Sequence, residues 1–261
     1  MQRNDVIDGL RSLGFRASDE ALGALLAHAT KTRASPVQLF EELVKLERLV
    51  RDERNLARRT RCATLGVFKP LDRFDWSHPR SIDRSLYDEL SGLAFVDQRQ
   101  NVLLRGQSGV GKTTLAQNLG HAALAKGYTV RFTTLAAALG DLMKQESLPA
   151  LERRLKRYTS PDLLILDEIG YLPCDGRAAD LLYNIISRRH EQRSTVITTN
   201  LAFKKWGTVF PGAACVAALV DRFVQHLHVV DIDADSWRAK DSPDTDSSPA
   251  EPARLKNPKR R

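Results

Sequence analysis

Apolar positions in "DVIDGLRSLGF" (5–15) and "DEALGALLAHATK" (19–31) recur every three to four residues, which predicts two amphipathic helices. Ser35-Pro36 then reads as an N-cap and first helical residue for "VQLFEELVKLERLVRDERNLARRTR" (37–61), since the first turn leaves the N–H that proline lacks unbonded anyway. Residues 1–66 are thus predicted to form a small all-helical N-terminal domain. "GVFKPLDRFDWSHPRSID" (66–83), with Pro70, Pro79 and several aromatics, reads as a linker, and "DRSLYDELSGLAF" (83–95) as a further helix. Together 67–100 lead into the next unit. Phe68, Phe74 and Trp76 in this stretch are read as domain-joining contacts rather than neighbours of a bound base.

From Asn101 the period changes. "NVLLR", "YTVRFTT", "DLLILD", "STVITTN" and "HVVDI" are short apolar runs separated by helical stretches. Strands spaced by helices of this length run parallel, and such a sheet is covered on both faces. The expectation is an α/β core over 101–238 around a five-stranded parallel sheet. The tail 239–261, "AKDSPDTDSSPAEPARLKNPKRR", is rich in Pro, Ser and Asp and reads as disordered.

Composition narrows the class only slightly. A chain of 261 residues, 42% hydrophobic and 28% charged, has enough apolar side chains for a real core. No apolar run approaches the ~20 residues that span a bilayer, and the first residues lack a secretory stretch, which points to the cytoplasm. Cys62, Cys174 and Cys215 form no C-x-x-C pair, so neither zinc nor a disulfide framework is expected. The formal net charge of +8 favours a polyanionic partner.

The chemistry starts at "RGQSGVGKTTLAQ" (105–117), between the first core strand and its helix. Gly106, Gln107, Ser108, Gly109, Val110, Gly111, Lys112 and Thr113 fit G-x-x-x-x-G-K-[ST], and Thr114 follows in the helix. Glycines let backbone N–H groups wrap phosphates, and the helix N-terminus adds positive potential. Lys112 is expected to reach the outer phosphates and the Thr113 hydroxyl to bind Mg²⁺, so ATP with Mg²⁺ is the expected ligand. "LLILDE" (163–168) is a buried strand whose C-terminal end carries Asp167 and Glu168. Ligands of α/β sheets bind at that edge. Asp167 suits the Mg²⁺ shell, through water or Thr113, and Glu168 can polarise an attacking water. That pair favours hydrolysis over transfer to a small molecule. Asn200, ending "STVITTN", can bridge the water and the γ-phosphate.

With these elements in this order the chain resembles the AAA+ ATPases. "NVLLRGQSGVGKTTLAQNLG", "DLLILDEIGYLP", "ISRRHEQRSTVITTNLAFKKWGTVF" and "ALVDRF" resemble the IstB-like ATP-binding proteins, transposition helpers of insertion sequences related to DnaC-type helicase loaders. The resemblance runs to about Arg238. It implies that Arg222 of "VDRF" is an arginine finger reaching the γ-phosphate of a neighbouring subunit, and that Arg238 of "DSWR" contacts phosphates in its own. It also implies an ATP-dependent homo-oligomer, ring or filament, acting with the transposase of the same insertion sequence. Thr114 stands where the family usually has His, and Gln107-Ser108 where it has Pro-Pro. With only about thirty residues after the last strand, the helical lid common in AAA+ proteins is expected to be absent or vestigial. The rival readings are a helicase loader and a non-hydrolysing ATP-binding scaffold.

A DNA surface is expected on the first domain. In "KLERLVRDERNLARRTR" (45–61), of net charge +4, Arg48, Arg51, Arg54, Arg58 and Arg61 recur at spacings of three, three, four and three, one basic stripe on a helix. A second basic helix, "ERRLKRY" (152–158), carries Arg153, Arg154, Lys156 and Arg157. Without interleaved aromatics, both suit sequence-tolerant contacts to duplex DNA phosphates.

Overall fold

The computed structural model describes residues 3–67, 69–170, 176–211 and 214–237. Three helices open the chain: α1 (Arg3–Ser12), α2 (Asp19–Thr32) and α3 (Pro36–Ala63). At the start of α3 the Ser35 hydroxyl accepts from the Gln38 N–H and the Gln38 side chain accepts from the Ser35 N–H, a reciprocal cap. Ile7, Ala17, Leu22 and Leu43 form a small core of their own. Buried Glu47 accepts from the N–H groups of Arg16 and Ala17 at 2.7 and 3.1 Å, tying the α1–α2 turn to α3. The far end of α3 reaches the next unit. There Ala63 and Leu65 join the apolar cluster under Leu115 and Leu119, and the Thr64 hydroxyl donates to the Phe132 carbonyl at 2.6 Å.

After a single 3₁₀ turn (Leu71–Arg73) and β1 (Ser81–Ile82) come α4 (Arg84–Ser91) and α5 (Ala94–Asp97). The sequence predicts one helix here; it breaks at Gly92-Leu93, where Leu93 takes φ 65. The alternating unit follows: β2 (Asn101–Gly106), α6 (Lys112–Ala125), β3 (Val130–Thr134), α7 (Leu135–Met143), α8 (Leu148–Thr159), β4 (Leu163–Ile169), α9 (Gly176–Arg189), β5 (Ser194–Thr199), α10 (Trp206–Val209), α11 (Val216–Val224) and β6 (Leu227–Asp233).

These strands form one sheet in the order β1-β6-β2-β5-β4-β3. The five strands read from sequence are parallel, as expected. The sheet nevertheless has six strands, because β1 adds antiparallel to the β6 edge, Ser81 opposite Asp233. Two residues are too few to show a strand period, so this strand is invisible in the sequence. Period-2 alternation sorts the core. Val102 and Leu104 face the cluster under α4–α6, and Leu103 faces the one under α7–α9 and α11. At the strands' N-terminal ends, fully buried Arg189 donates to the Tyr158, Pro161 and Ser194 carbonyls and to the Thr195 hydroxyl. That leaves the opposite, C-terminal edge open. No helix among the described residues is long and apolar enough to cross a membrane. Phe68, Arg238, the tail 239–261 and any lid within it lie outside the described residues.

Candidate functional site

At the C-terminal edge the glycine loop links β2 to α6. Gly109 and Gly111 sit at φ 82 and 94, a region costly for residues with a Cβ. They are also crowded: a Cβ on Gly109 would lie 2.2 Å from Ser236 Oγ, and one on Gly111 2.6 Å from the Phe74 ring. The first turn of α6 has no side-chain cap, and its N-terminal end carries the positive potential that suits an anionic ligand. Lys112 folds back, its Nζ donating to the carbonyls of Gly106 at 2.8 Å and Gln107 at 2.5 Å. Over the loop opens a cavity of about 600 Å³, the size of a small-ligand site. Ser108, Gly109, Val110, Gly111, Lys112, Thr113 and Thr114 line one wall, and Glu168 and Thr198 another. Lys69, Arg73, Phe74 and His78 come from the linker and Trp237 from the segment after β6. Phe74 thus lines the cavity as well as packing edge-on against Trp76, whereas Trp76 itself packs, tilted, against Tyr87.

The second wall is built at the end of β4. Asp167, 3% exposed, has its two carboxylate oxygens 3.1 and 3.0 Å from the Thr113 hydroxyl. A hydroxyl on the cavity wall with a carboxylate in contact behind it suits Mg²⁺, which prefers hard oxygen ligands and takes few from protein when phosphates supply the rest. Glu168 lies within β4 but interrupts its ladder to β5. The β4–β5 register slips between Leu166 and Ile169, and Glu168 takes φ 63, which turns it out of the sheet and into the cavity wall. Gly170, at φ 107, allows the chain to pass the Leu201 side chain, whose Cδ1 would stand 2.6 Å from a Cβ there, with Asn200 Oδ1 at 3.3 Å. Asn200 is exposed just past β5; the β5 side chain that reaches the cavity is Thr198.

The sequence profile of the family described as "IstB-like ATP binding protein" matches residues 9–245. The chain belongs to the IstB-like ATP-binding proteins. It is 36% identical over 218 residues to a Pseudomonas aeruginosa protein named for ATP binding in insertion sequence IS21, covering 84% of this chain and 82% of the relative. It is 35% identical over 232 residues to the corresponding IS232 protein of Bacillus thuringiensis subsp. berliner, covering 89% and 93%. Among solved structures it is similar in fold to AMPPCP-bound DnaA from Aquifex aeolicus (TM-score 0.55, 21% identity, 66% of this chain). That match spans only about half of the DnaA chain, 52%. It is similar also to DnaI (TM-score 0.52, 16% identity, 66% of this chain and 90% of that one). The fold is that of the AAA+ P-loop proteins.

Arg222 and the basic residues of α3 and α8, also singled out from the sequence of this IstB-like chain, are not among the residues lining the cavity. Arg222, on α11, lays its guanidinium over the Tyr183 ring at 4.9 Å and donates to the Ser187 hydroxyl, both on α9. Along α3, Arg48, Arg54, Arg58 and Arg61 are exposed. Arg51 is engaged: it pairs with Glu47 at 2.6 Å and donates to the Gly14 carbonyl at 3.1 Å. On α8, Arg153, Lys156 and Arg157 are exposed, while Arg154 pairs with Asp141 at 2.7 Å. The two basic helices meet at the β3 edge through Arg131, which sequence reading passed over. Its guanidinium donates to the Cys62 carbonyl near the end of α3 and lies 6.0 Å from the Tyr158 ring of α8. Burial, and next the charge of Arg157, hold Arg131 below the usual guanidinium value, although Tyr158 and Asp141 pull the other way. Also missed were Lys69, Arg73, His78, Thr198 and Trp237, which reach the cavity from segments carrying no phosphate-binding pattern.

Proposed function

We propose that this chain is an Mg²⁺-dependent ATPase that assembles on duplex DNA in its ATP form and presents that DNA to the transposase of its insertion sequence. The observation that carries the reading is the meeting of Lys112, Thr113 and Glu168 on one cavity, with the Asp167 carboxylate directly behind the Thr113 hydroxyl, in a chain whose relatives are named for insertion sequences. A triphosphate offers Lys112 stronger acceptors than the two carbonyls it now holds, and the α6 N-terminus faces the same charge. Thr113 and Asp167 would hold Mg²⁺, which would supply positive charge against the triphosphate. The Glu168 carboxylate takes the proton of the attacking water, and the Asn200 amide orients that water. Arg222 of one subunit stabilises the γ-phosphate in the next, and Arg238 contacts phosphates in its own. Hydrolysis then resets the assembly, in the cytoplasm, for another round.

The DNA would lie along α3 and, past the Arg131 junction, along α8. Arg48, Arg54, Arg58 and Arg61 are the group to test, because Arg51 also supports the helical core. Each exposed arginine at a duplex phosphate contributes roughly 0.9 to the slope of log K against log salt. Replacing all four by Gln is expected to weaken DNA binding strongly, alike for unrelated sequences, and to flatten that slope. ATP binding should survive. Unchanged affinity and slope would leave the stripe a solvated face and move the search to α8.

A further inference from the structure

The bulge that turns Glu168 into the cavity also breaks the β4–β5 ladder, since the register slips between Leu166 and Ile169. Backbone groups that lose ladder partners inside a protein must find others. Here β5 supplies them with side chains. The Glu168 N–H donates to the Thr198 hydroxyl at 3.0 Å, and that hydroxyl gives its single proton to Oδ1 of Asp167. Thr198 is 1% exposed and Asp167 3%, so water does not compete for these bonds. The next residue repeats the device without touching either acid. The Thr199 hydroxyl donates to the Ile169 carbonyl at 2.7 Å and accepts from the Leu201 N–H at 3.1 Å.

We propose that Thr198 is a positioning residue for ATP hydrolysis, its one hydroxyl setting both the metal-side carboxylate of Asp167 and the peptide that carries Glu168. This rests on the hydrolytic reading above. With Oδ1 accepting from Thr198, the Asp167 carboxylate cannot rotate freely, and both its oxygens are kept within 3.1 Å of the Thr113 hydroxyl, on the glycine-loop side. The same oxygen of Thr198 holds the Glu168 N–H while Glu168 stands at φ 63, a conformation that persists only where its surroundings enforce it. A displacement of either acid is thereby felt by the other through one atom.

The test uses the full chain with Thr198→Val, which keeps the shape and removes the hydroxyl, Thr198→Ser, which restores it, and Thr199→Val as the control for the bulge alone. Turnover is measured together with the Mg²⁺ concentration that half-saturates binding of a fluorescent non-hydrolysable ATP analogue. Outer partners of metal ligands typically matter by 10–100-fold. Thr198→Val is therefore expected to lower kcat by about 10–100-fold and to raise the half-saturating Mg²⁺ several-fold, roughly within that same range. Its analogue affinity without Mg²⁺ should stay near wild type. Thr198→Ser should recover both quantities, and Thr199→Val should leave the Mg²⁺ requirement alone. Normal kcat and Mg²⁺ dependence in Thr198→Val would overturn the proposal. So would a Ser variant as impaired as Val, a result that decides the matter even if the Val protein fails to fold. Equal losses in Thr198→Val and Thr199→Val at unchanged Mg²⁺ dependence would reduce Thr198 to a staple of the bulge and also overturn it. A wild type that binds the analogue but never turns over ATP would instead sink the hydrolytic reading, and the Mg²⁺ titration would still judge the link to Asp167.

Discussion

Glu168→Gln is expected to keep ATP binding and to lose turnover by at least about 100-fold, the usual cost of removing a positioned base. Glutamine preserves the size and the hydrogen-bonding reach of the side chain but cannot take a proton from water. The backbone at φ 63 is set by the bulge and by Thr198, so the amide occupies the same place as the carboxylate. Lys112→Ala should act one step earlier and abolish ATP binding, because its ammonium is the cation at the heart of the loop, 7% exposed. The two variants separate binding from chemistry. Glu168→Gln should accumulate in its ATP-bound assembly, and Lys112→Ala should never enter it. Calorimetric or fluorescent ATP binding beside a phosphate-release assay reads both. A Glu168→Gln protein that hydrolyses at the wild-type rate removes Glu168 from the chemistry.

Arg222→Ala is expected to bind ATP normally and to lose about 10³-fold or more in turnover, the scale of an arginine finger. The guanidinium rests on α9, stacked over Tyr183 and bonded to Ser187, and is not among the groups lining its own nucleotide cavity. Its target on this account is a second subunit, so wild-type turnover should rise more than linearly with protein concentration. Mixing Arg222→Ala with Lys112→Ala should restore part of the activity, since the Lys112→Ala subunit brings an intact finger to the intact site of the other. A linear concentration dependence with no rescue would make Arg222 a structural contact between α11 and α9.

The parts of this molecule carried by local pattern were legible in its sequence. The parts made by long-range meeting were not. Gly106 to Thr113 declare a phosphate loop because each glycine and the Lys-Thr pair answer a local backbone or ligand demand. Five strands and most helices follow from apolar spacing, and Ser35-Pro36 marks the start of α3 through its cap. "LLILDE" reads as a strand that simply ends in two acids, however, and nothing in it announces that Glu168 bulges out. The bulge is imposed from β5, where Thr198 and Thr199 look like ordinary β-formers until their hydroxyls are seen replacing ladder bonds. Likewise the cavity wall of Lys69, Arg73, Phe74 and His78 belongs to a stretch whose prolines and aromatics read as linker. Its position follows from β1 pairing with β6, which brings 78–82 back beside 232–237. In the arginine stripe, spacing placed the residues on one helix but could not show that Arg51 is engaged by Glu47 and Gly14.

The central claim is that ATP, through this site, governs assembly on DNA. Sedimentation velocity of the full chain with a short fluorescent duplex of unrelated sequence tests it most directly, in ATP-Mg²⁺, in ADP-Mg²⁺ and without nucleotide, using Glu168→Gln to hold the ATP state. Complexes of several subunits per duplex are expected with ATP, most persistent for Glu168→Gln, and their loss with ADP or in Lys112→Ala. Complexes of the same size and stability in all three nucleotide conditions would contradict it.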